Sequence, residues 1–375
     1  MGRGIAAANV AHGIPVVLSD TSQEMLSAGV DCVLNEVAAG ADENLIHGST
    51  SDAELAASGL VIEAIVERLK AKQRLFARLE PMLKDSAVLA SNTSSLSITQ
   101  VAAALNDPSR LCGMHFCHPV SERPLVEIVR GRQTSDETVA AAVQHTKAIG
   151  KLPIVVKDGP GFLVNRLLTL YLNEAIELVL DGMSVESVEQ AATSFGMPMG
   201  PFSHLDAIGI DVAIRVGANL QAAFPDRVVA SDLPVALFEL NRLGHKTAAG
   251  FFTYEEEDVD RKLDSEVEQM IHQRRRGNTK LTHDETINRL LLPMIVEASR
   301  VLEEGIVETP RDVDLALING IAFPRSTGGL LAWADKSKRT GTIPEWLKPY
   351  ESLGKRYHPT ALLREMASKG WGFYR

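Results

Sequence analysis

The chain has 375 residues, 45% hydrophobic and 23% charged, which excludes a disordered polypeptide and gives length enough for two or three domains. Lys and Arg number 38 against 48 Asp and Glu, a net charge of −10. That balance argues against a general nucleic-acid binder, whose phosphate contacts need clustered cations, and the one dense basic run is Arg274-Arg275-Arg276.

In chain order, residues 2–12 read as a helix of small residues ended by Gly13, and Ile14–Ser19 as a β-branched strand closing on Asp20. Ser22–Ala39 is helical, Leu60–Val66 a strand, Ala71–Lys84 a helix and Ala87–Ala90 a short strand running into Ser91-Asn92-Thr93. Leu96–Leu105 follows as a helix, Cys112–Phe116 and Leu125–Val129 as strands, Thr138–Ala148 as a helix and Leu152–Val156 as a last strand. Strands separated by helical segments predict a parallel sheet covered by helices on both faces. From Asp158 the strand signal stops. Pro160 and Gly161 introduce a long amphipathic helix that Gly182 ends, and more helices reach about Leu243. Residues 255–280 are highly charged and read as a linker carrying a solvated helix.

The segment beyond this linker repeats the earlier helical one. Asn165, Arg166, Glu174, Ala175 and Gly182 find Asn288, Arg289, Glu297, Ala298 and Gly305 at one offset of 123 residues. Apolar helices align by chance in their leucines, but not in Asn, Arg, Glu, Ala and Gly together, so the helical region is a duplication. The expected organisation is an α/β dinucleotide-binding domain at 1–157, a first helical domain at 158–254, the linker at 255–280 and a second helical domain at 281–375.

Cys32, Cys112 and Cys117 make neither a disulfide framework nor zinc-site spacing, which fits a reducing cytoplasm, and no metal is expected. No apolar run approaches the roughly 20 residues of a bilayer span, and the first residues lack a signal peptide's apolar stretch. An acidic protein can still hold an anionic cofactor on a helix N-terminus. A dinucleotide site needs a strand, a glycine turn, a helix, and an acidic residue about twenty positions on at the end of the second strand. Asp20 stands there and would accept hydrogen bonds from a ribose diol, favouring NAD over NADP; alone, it is also an ordinary turn residue. Met1-Gly2 would be the last two positions of a G-x-G-x-x-G turn, so the first strand and first two glycines are expected to be missing.

Four polar residues lie in apolar company: Ser94 in SNTSSL, His115 in GMHFCHP, Glu127 in PLVEIV and Asn165 in GPGFLVNR. Oxidation of an alcohol needs a base for the hydroxyl proton, which suits histidine, and a carboxylate can fix its tautomer. Singly, a buried His or a strand Glu has a plainer structural reading.

Taken with VIEAIVERLKAKQ, LVEIVRG, GMPMGPF, GHKTAAGFFTY and MASKGWGFY, the sequence resembles the L-3-hydroxyacyl-CoA dehydrogenase family from Met1 to its end. The resemblance is specifically to the dehydrogenase part of the multifunctional fatty-acid β-oxidation enzymes. It implies a Rossmann-like domain followed by two duplicated all-α C-terminal domains, and NAD-dependent oxidation of (S)-3-hydroxyacyl-CoA to 3-ketoacyl-CoA. On it, His115 is the base, Glu127 its orienting partner, and Ser94 and Asn165 hold the reacting oxygen. Met1, Gly2, Asp20, Val66, Glu67, Lys72, Ser94, His118 and Lys246 contact the cofactor. An enoyl-CoA hydratase domain upstream and a thiolase partner are implied for the parent enzyme.

Departures from the family are the missing first strand, a short segment between Asp20 and Glu67 with no Lys or Arg in Ser22–Asn44, and His118 where the family has Asn. As a second titrating group His118 can shift the pH profile, although neutral His and Asn share donor and acceptor capacity. Two other readings stay open at this point: a catalytically silent assembly module that cannot hold NAD, and a hydroxyacid dehydrogenase with a non-CoA substrate.

Overall fold

A computed structural model describes residues 1–37, 42–254, 262–337 and 342–374. They divide into two compact units, Met1–Phe162 and Leu163–Arg375. The first unit runs α1 (Gly2–Val10), β1 (Val16–Ser19), α2 (Gln23–Glu36), β2 (Ile46–Ser49), β3 (Leu60–Glu63), α3 (Leu69–Leu79), β4 (Val88–Ser91), α4 (Ile98–Ala102), β5 (Leu111–Phe116), β6 (Leu125–Arg130), α5 (Asp136–Ala148) and β7 (Leu152–Lys157). Several of these differ from the sequence expectation: the strand expected over Leu60–Val66 ends at Glu63 and the helix expected over Ala71–Lys84 ends at Leu79. The helix expected at Leu96–Leu105 shrinks to α4. Strand β2 has no counterpart in the reading; its four residues, Ile-His-Gly-Ser, carry little strand propensity and are ordered by pairing with β1.

The strands form two ladders. β1 and β2 pair in parallel, and β3-β4-β5-β6-β7 make a second sheet in that order. The expected all-parallel sheet is corrected at one junction: β5 and β6 are antiparallel. The eight residues joining them, 117–124, contain no helix, too short a connection for a parallel crossover. In a doubly wound sheet of order 3-2-1-4 the strand leading into the first helix lies between the second and the fourth, here β1 and β3. Here the edges of β1 and β3 on that side carry no ladder partner among the described residues. Accordingly Val61 and Ile62 of β3 are only half-buried, whereas every residue of β4 is buried. Helix α1 ties the ladders together. Its Ile5 packs with the β4, β5 and β6 side chains Ala90, Met114 and Val126, while Ala6, Ala7 and Val10 pack with Val33 and Ile46.

The second unit is helical: α6 (Val164–Leu180), α7 (Val185–Phe195), α8 (Pro201–Ile208), α9 (Ile210–Ala223) and α10 (Leu233–Glu239), a short antiparallel pair β8 (Phe252–Thr253) and β9 (Lys262–Leu263), then α11 (Ser265–Arg274), α12 (His283–Glu303), α13 (Pro310–Gly320), α14 (Leu330–Lys336), α15 (Ile343–Leu347) and α16 (Ala361–Lys369). Residues 255–261 of the expected linker lie outside the described residues. Its helix, α11, is docked rather than solvated all round: Val267, Met270 and Ile271 are buried, and Arg276 beyond it pairs with Glu177 and Asp181.

The duplication is carried into the bonding. Arg166 of α6 pairs with Glu297 and Glu304 at 2.7 and 2.6 Å, and its repeat equivalent Arg289 of α12 pairs with Glu174 and Asp181 at 3.0 and 3.2 Å. Each partner set maps onto the other by the 123-residue offset, the reciprocal pattern of a two-fold interface. Further on, Glu189 accepts the N–H groups of Phe202 and Ser203 at the start of α8, and Asp314 those of Leu331 and Ala332 at the start of α14. Both carboxylates reach in over a glycine. A Cβ on Gly200 would stand 2.3 Å from the Glu189 carboxyl carbon, and one on Gly329 2.3 Å from that of Asp314.

The two arginines are not equivalent in what their loss leaves behind. Without Arg289, Glu174 stays fully buried beside Arg356 and Tyr357, whereas without Arg166, Glu297 keeps Arg227 and Arg300, and the 42%-exposed Glu304 rehydrates. Arg289→Met should therefore destabilise the helical unit by about 1.5–3 kcal/mol, the loss of charge-assisted bonds to a buried carboxylate that still keeps Arg356. Arg166→Met should cost less. Denaturant unfolding of both variants checks this, and a larger loss for Arg166→Met contradicts it.

Candidate active site

The antiparallel β5–β6 junction sets the pair on which the site is built. His115 and Glu127 are direct cross-strand partners in its register, so their side chains leave the same face at adjacent positions. Both are buried, and His115 Nδ1 stands 2.6 Å from Glu127 Oε2. A carboxylate only accepts, so Nδ1 carries the proton and donates it, leaving the Nε2 lone pair free of that bond and able to act as a base. Close approach of the two strands is allowed at Gly113, two residues earlier on β5, where a Cβ would stand 2.7 Å from the Val129 Cβ. The Phe162 ring lies 5.7 Å from the imidazole, centroid to centroid, and its backbone adopts φ 50°, a left-handed conformation costly for a bulky residue.

The loop carrying Ser94 leaves β4 beside this pair. Ser91, the last residue of β4, is in register with Gly113, and the next residue, Asn92, accepts the Phe116 N–H on its side-chain oxygen at 2.9 Å. Ser94 is half-buried, and its N–H donates to Glu67 Oε1 at 3.0 Å. Lys72 Nζ reaches Glu67 Oε2 at 3.3 Å. Of the sequence-derived residues, the structure therefore joins His115 with Glu127, and Ser94 with Glu67 and Lys72. Asn165, on the first turn of α6, and Lys246, paired with the Asp211 carboxylate, lie in the helical unit.

Residues that would hold a dinucleotide stand at the carboxyl ends of β1 and β3, the edge where such ligands sit in this architecture. Asp20 follows β1 with an exposed carboxylate, one oxygen of which accepts the Ser22 N–H. Helix α1 begins at Gly2 with no side-chain cap and no acidic residue in its first turn, so its leading N–H groups suit an anion. Just past β3, Ile65 and Val66 are 45% and 63% exposed, an apolar surface for a flat ring. This donor set and surface fit a dinucleotide. His118 is held below the usual imidazole range, chiefly by partial burial, with Glu122 opposing.

Four contributors escaped the sequence reading. Glu63, Asn92, Asp158 and Phe162 were present in motifs but had no chemical signature. Asp158 accepts from Ser97 Oγ and from the Ile98 and Thr99 N–H groups, fixing α4 behind the Ser94 loop. The one available signal was a charge in an apolar setting, as for Glu63 in LVIEAIV.

Comparison with known proteins agrees with this arrangement. Residues 1–159 match the family model described as 3-hydroxyacyl-CoA dehydrogenase, NAD binding domain, and residues 161–254 and 286–371 match that of the 3-hydroxyacyl-CoA dehydrogenase C-terminal domain. The fatty acid oxidation complex subunit alpha of Pseudomonas putida KT2440 is 38% identical over 391 aligned positions, covering 100% of this chain and 54% of that protein. The chain thus spans about half the length of the curated relatives it matches. Among solved structures, a 3-hydroxybutyryl-CoA dehydrogenase from Escherichia coli K12 aligns with a TM-score of 0.80 at 26% identity, over 98% of this chain and 96% of that one. The dehydrogenase part of multifunctional enzyme 1 from C. elegans aligns at 0.66 and 25% identity, over 97% and 86%. With a buried His–Glu pair at the end of β5, a two-ladder α/β unit and a twice-repeated helical partner, this chain belongs to the 3-hydroxyacyl-CoA dehydrogenase family.

Proposed function

We propose that this chain is the dehydrogenase portion of a fatty-acid β-oxidation enzyme, oxidising (S)-3-hydroxyacyl-CoA to 3-ketoacyl-CoA with NAD⁺. The observation that carries the proposal is the register-set pair of His115 and Glu127. Nε2 of His115 takes the proton of the 3-hydroxyl, and Glu127 stabilises the imidazolium that results. When bound, NAD⁺ accepts the hydride from the same carbon, so that the hydroxyl loses one proton and the carbon one hydride. Ser94 and Asn165 hold the substrate oxygen during this transfer. Asp20 accepts from the adenosine ribose, the first turn of α1 faces the phosphates, and Val66 lines the nicotinamide side. On the family resemblance, Lys246 is a further cofactor contact.

The longer Pseudomonas putida relative, named subunit alpha of a fatty acid oxidation complex, supports a parent protein that works within a complex; a hydratase domain and a thiolase partner are what the family resemblance implies for it. Free Cys32, Cys112 and Cys117 suit a reducing cytoplasm, and no helix of the described residues is long and apolar enough to cross a membrane.

Two measurements test this reading. His115→Gln should lower kcat by roughly 100- to 10,000-fold while the NADH Kd stays within about threefold; unchanged turnover would remove His115 as the base. Fusing a strand that ends in G-x-G ahead of Met1 should tighten NADH binding, read by fluorescence titration. Equal affinity with and without it would mean that the open edges do not limit cofactor binding.

A further inference from the structure

Lys72 sits in the buried stripe of α3 with Phe76 and Leu79, spaced i, i+4, i+7, and is only 1% exposed. An apolar side chain would suit that place better, because an ammonium gives up its hydration there and must be compensated by its partners. The partners are two carboxylates: Glu63 Oε1 at 2.6 Å and Glu67 Oε2 at 3.3 Å. Glu63 is tied inward to the sheet. Its Oε1 also accepts the Ile65 N–H, and its Oε2 accepts the hydroxyl of Ser91, its register partner on β4. Glu67 is tied outward to the loop. Its Oε1 accepts the Thr93 hydroxyl at 2.5 Å, the Ser94 and Ser95 N–H groups at 3.0 and 3.1 Å, and the Ser95 hydroxyl at 3.1 Å.

A continuous run of charge-assisted bonds therefore leads from the ends of β3 and β4, through one ammonium, to the loop that carries Ser94. We propose that Lys72 is a positioning residue that holds Glu67 beneath the 93–95 loop and thereby sets where Ser94 stands beside β5. Burial pushes the Glu67 carboxyl up, but the Thr93 hydroxyl, the Lys72 charge and the Ser94 N–H together outweigh it and hold the group below the usual range. As a carboxylate it accepts from the loop; protonated, it would present a donor to N–H groups that need an acceptor. A direct cofactor contact, the role the family resemblance implies, would use the third N–H of the ammonium and be read in cofactor affinity rather than in the loop. The two roles make different demands and can be told apart.

The test is amide hydrogen exchange on the full chain without cofactor, which does not depend on the proposed activity. Lys72→Met should accelerate exchange at Ser94 and Ser95 by tenfold or more while the amides of β6 keep their protection. Unchanged exchange at both serines, or uniform acceleration across β4, β5 and β6, would overturn the proposal. Glu67→Gln keeps the shape and one acceptor oxygen but removes the charge. It should loosen the same two amides by a smaller factor, and protection equal to wild type there would also overturn the proposal, even where Lys72→Met does not fold. The activity readout rests on the dehydrogenase reading: kcat for Lys72→Met should fall tenfold or more with the NADH Kd within threefold, partly restored in Lys72→Arg. A weakened Kd at unchanged kcat would make Lys72 a cofactor contact and reject the positioning role. Absence of turnover in the wild-type chain would sink the dehydrogenase reading and leave the exchange result to decide this one.

Discussion

The antiparallel pairing of β5 with β6 is the constraint from which the site follows. In a sheet otherwise built of parallel neighbours, this one junction places His115 opposite Glu127 without help from a loop. Pairing register fixes side-chain faces absolutely, since a slip of one residue would turn one partner to the other side of the sheet. The imidazole is consequently held by backbone hydrogen bonds on two strands and by a carboxylate that allows one tautomer. The Phe162 ring packs beside it from a strained backbone position, which the surrounding residues must hold in place.

Around that pair, buried charge is used for orientation more than for stability. Glu63, Glu67 and Lys72 fasten the loop after β4, Asn92 fastens its first residue to β5, and Asp158 fastens the helix that follows. Ion pairs taken out of water rarely add net stability over apolar packing, because desolvation offsets most of the attraction. Their value lies in direction: each oxygen has named donors, and a displaced loop would leave several of them unmet at once.

The helical unit applies the same chemistry to a different end. Its two repeats exchange arginine–carboxylate pairs reciprocally across α6 and α12, as two subunits of a symmetric dimer would. The duplication is strictest where a carboxylate meets a helix start over a glycine, at Glu189 with Gly200 and at Asp314 with Gly329. There the spacing between repeats is no longer 123 residues, so the correspondence is structural before it is a sequence alignment.

The amino-acid sequence by itself determined most of the succession of strands and helices and the end of the α/β part near residue 160, and it nominated the helical duplication and the four polar residues of the proposed chemistry. These are local matters, written in hydrophobic period, glycine and proline punctuation and motif. It did not determine that β5 and β6 run antiparallel, that the ladder is in two pieces, that Ile46–Ser49 is a strand, or that α11 docks. Nor did it reveal that Lys72 is buried between two carboxylates, since the resemblance placed it only as a cofactor contact. Each of these depends on residues far apart in the chain: a strand of low propensity exists only because a partner offers it hydrogen bonds, and a buried ammonium is tolerated only where folding has already brought its counter-charges together.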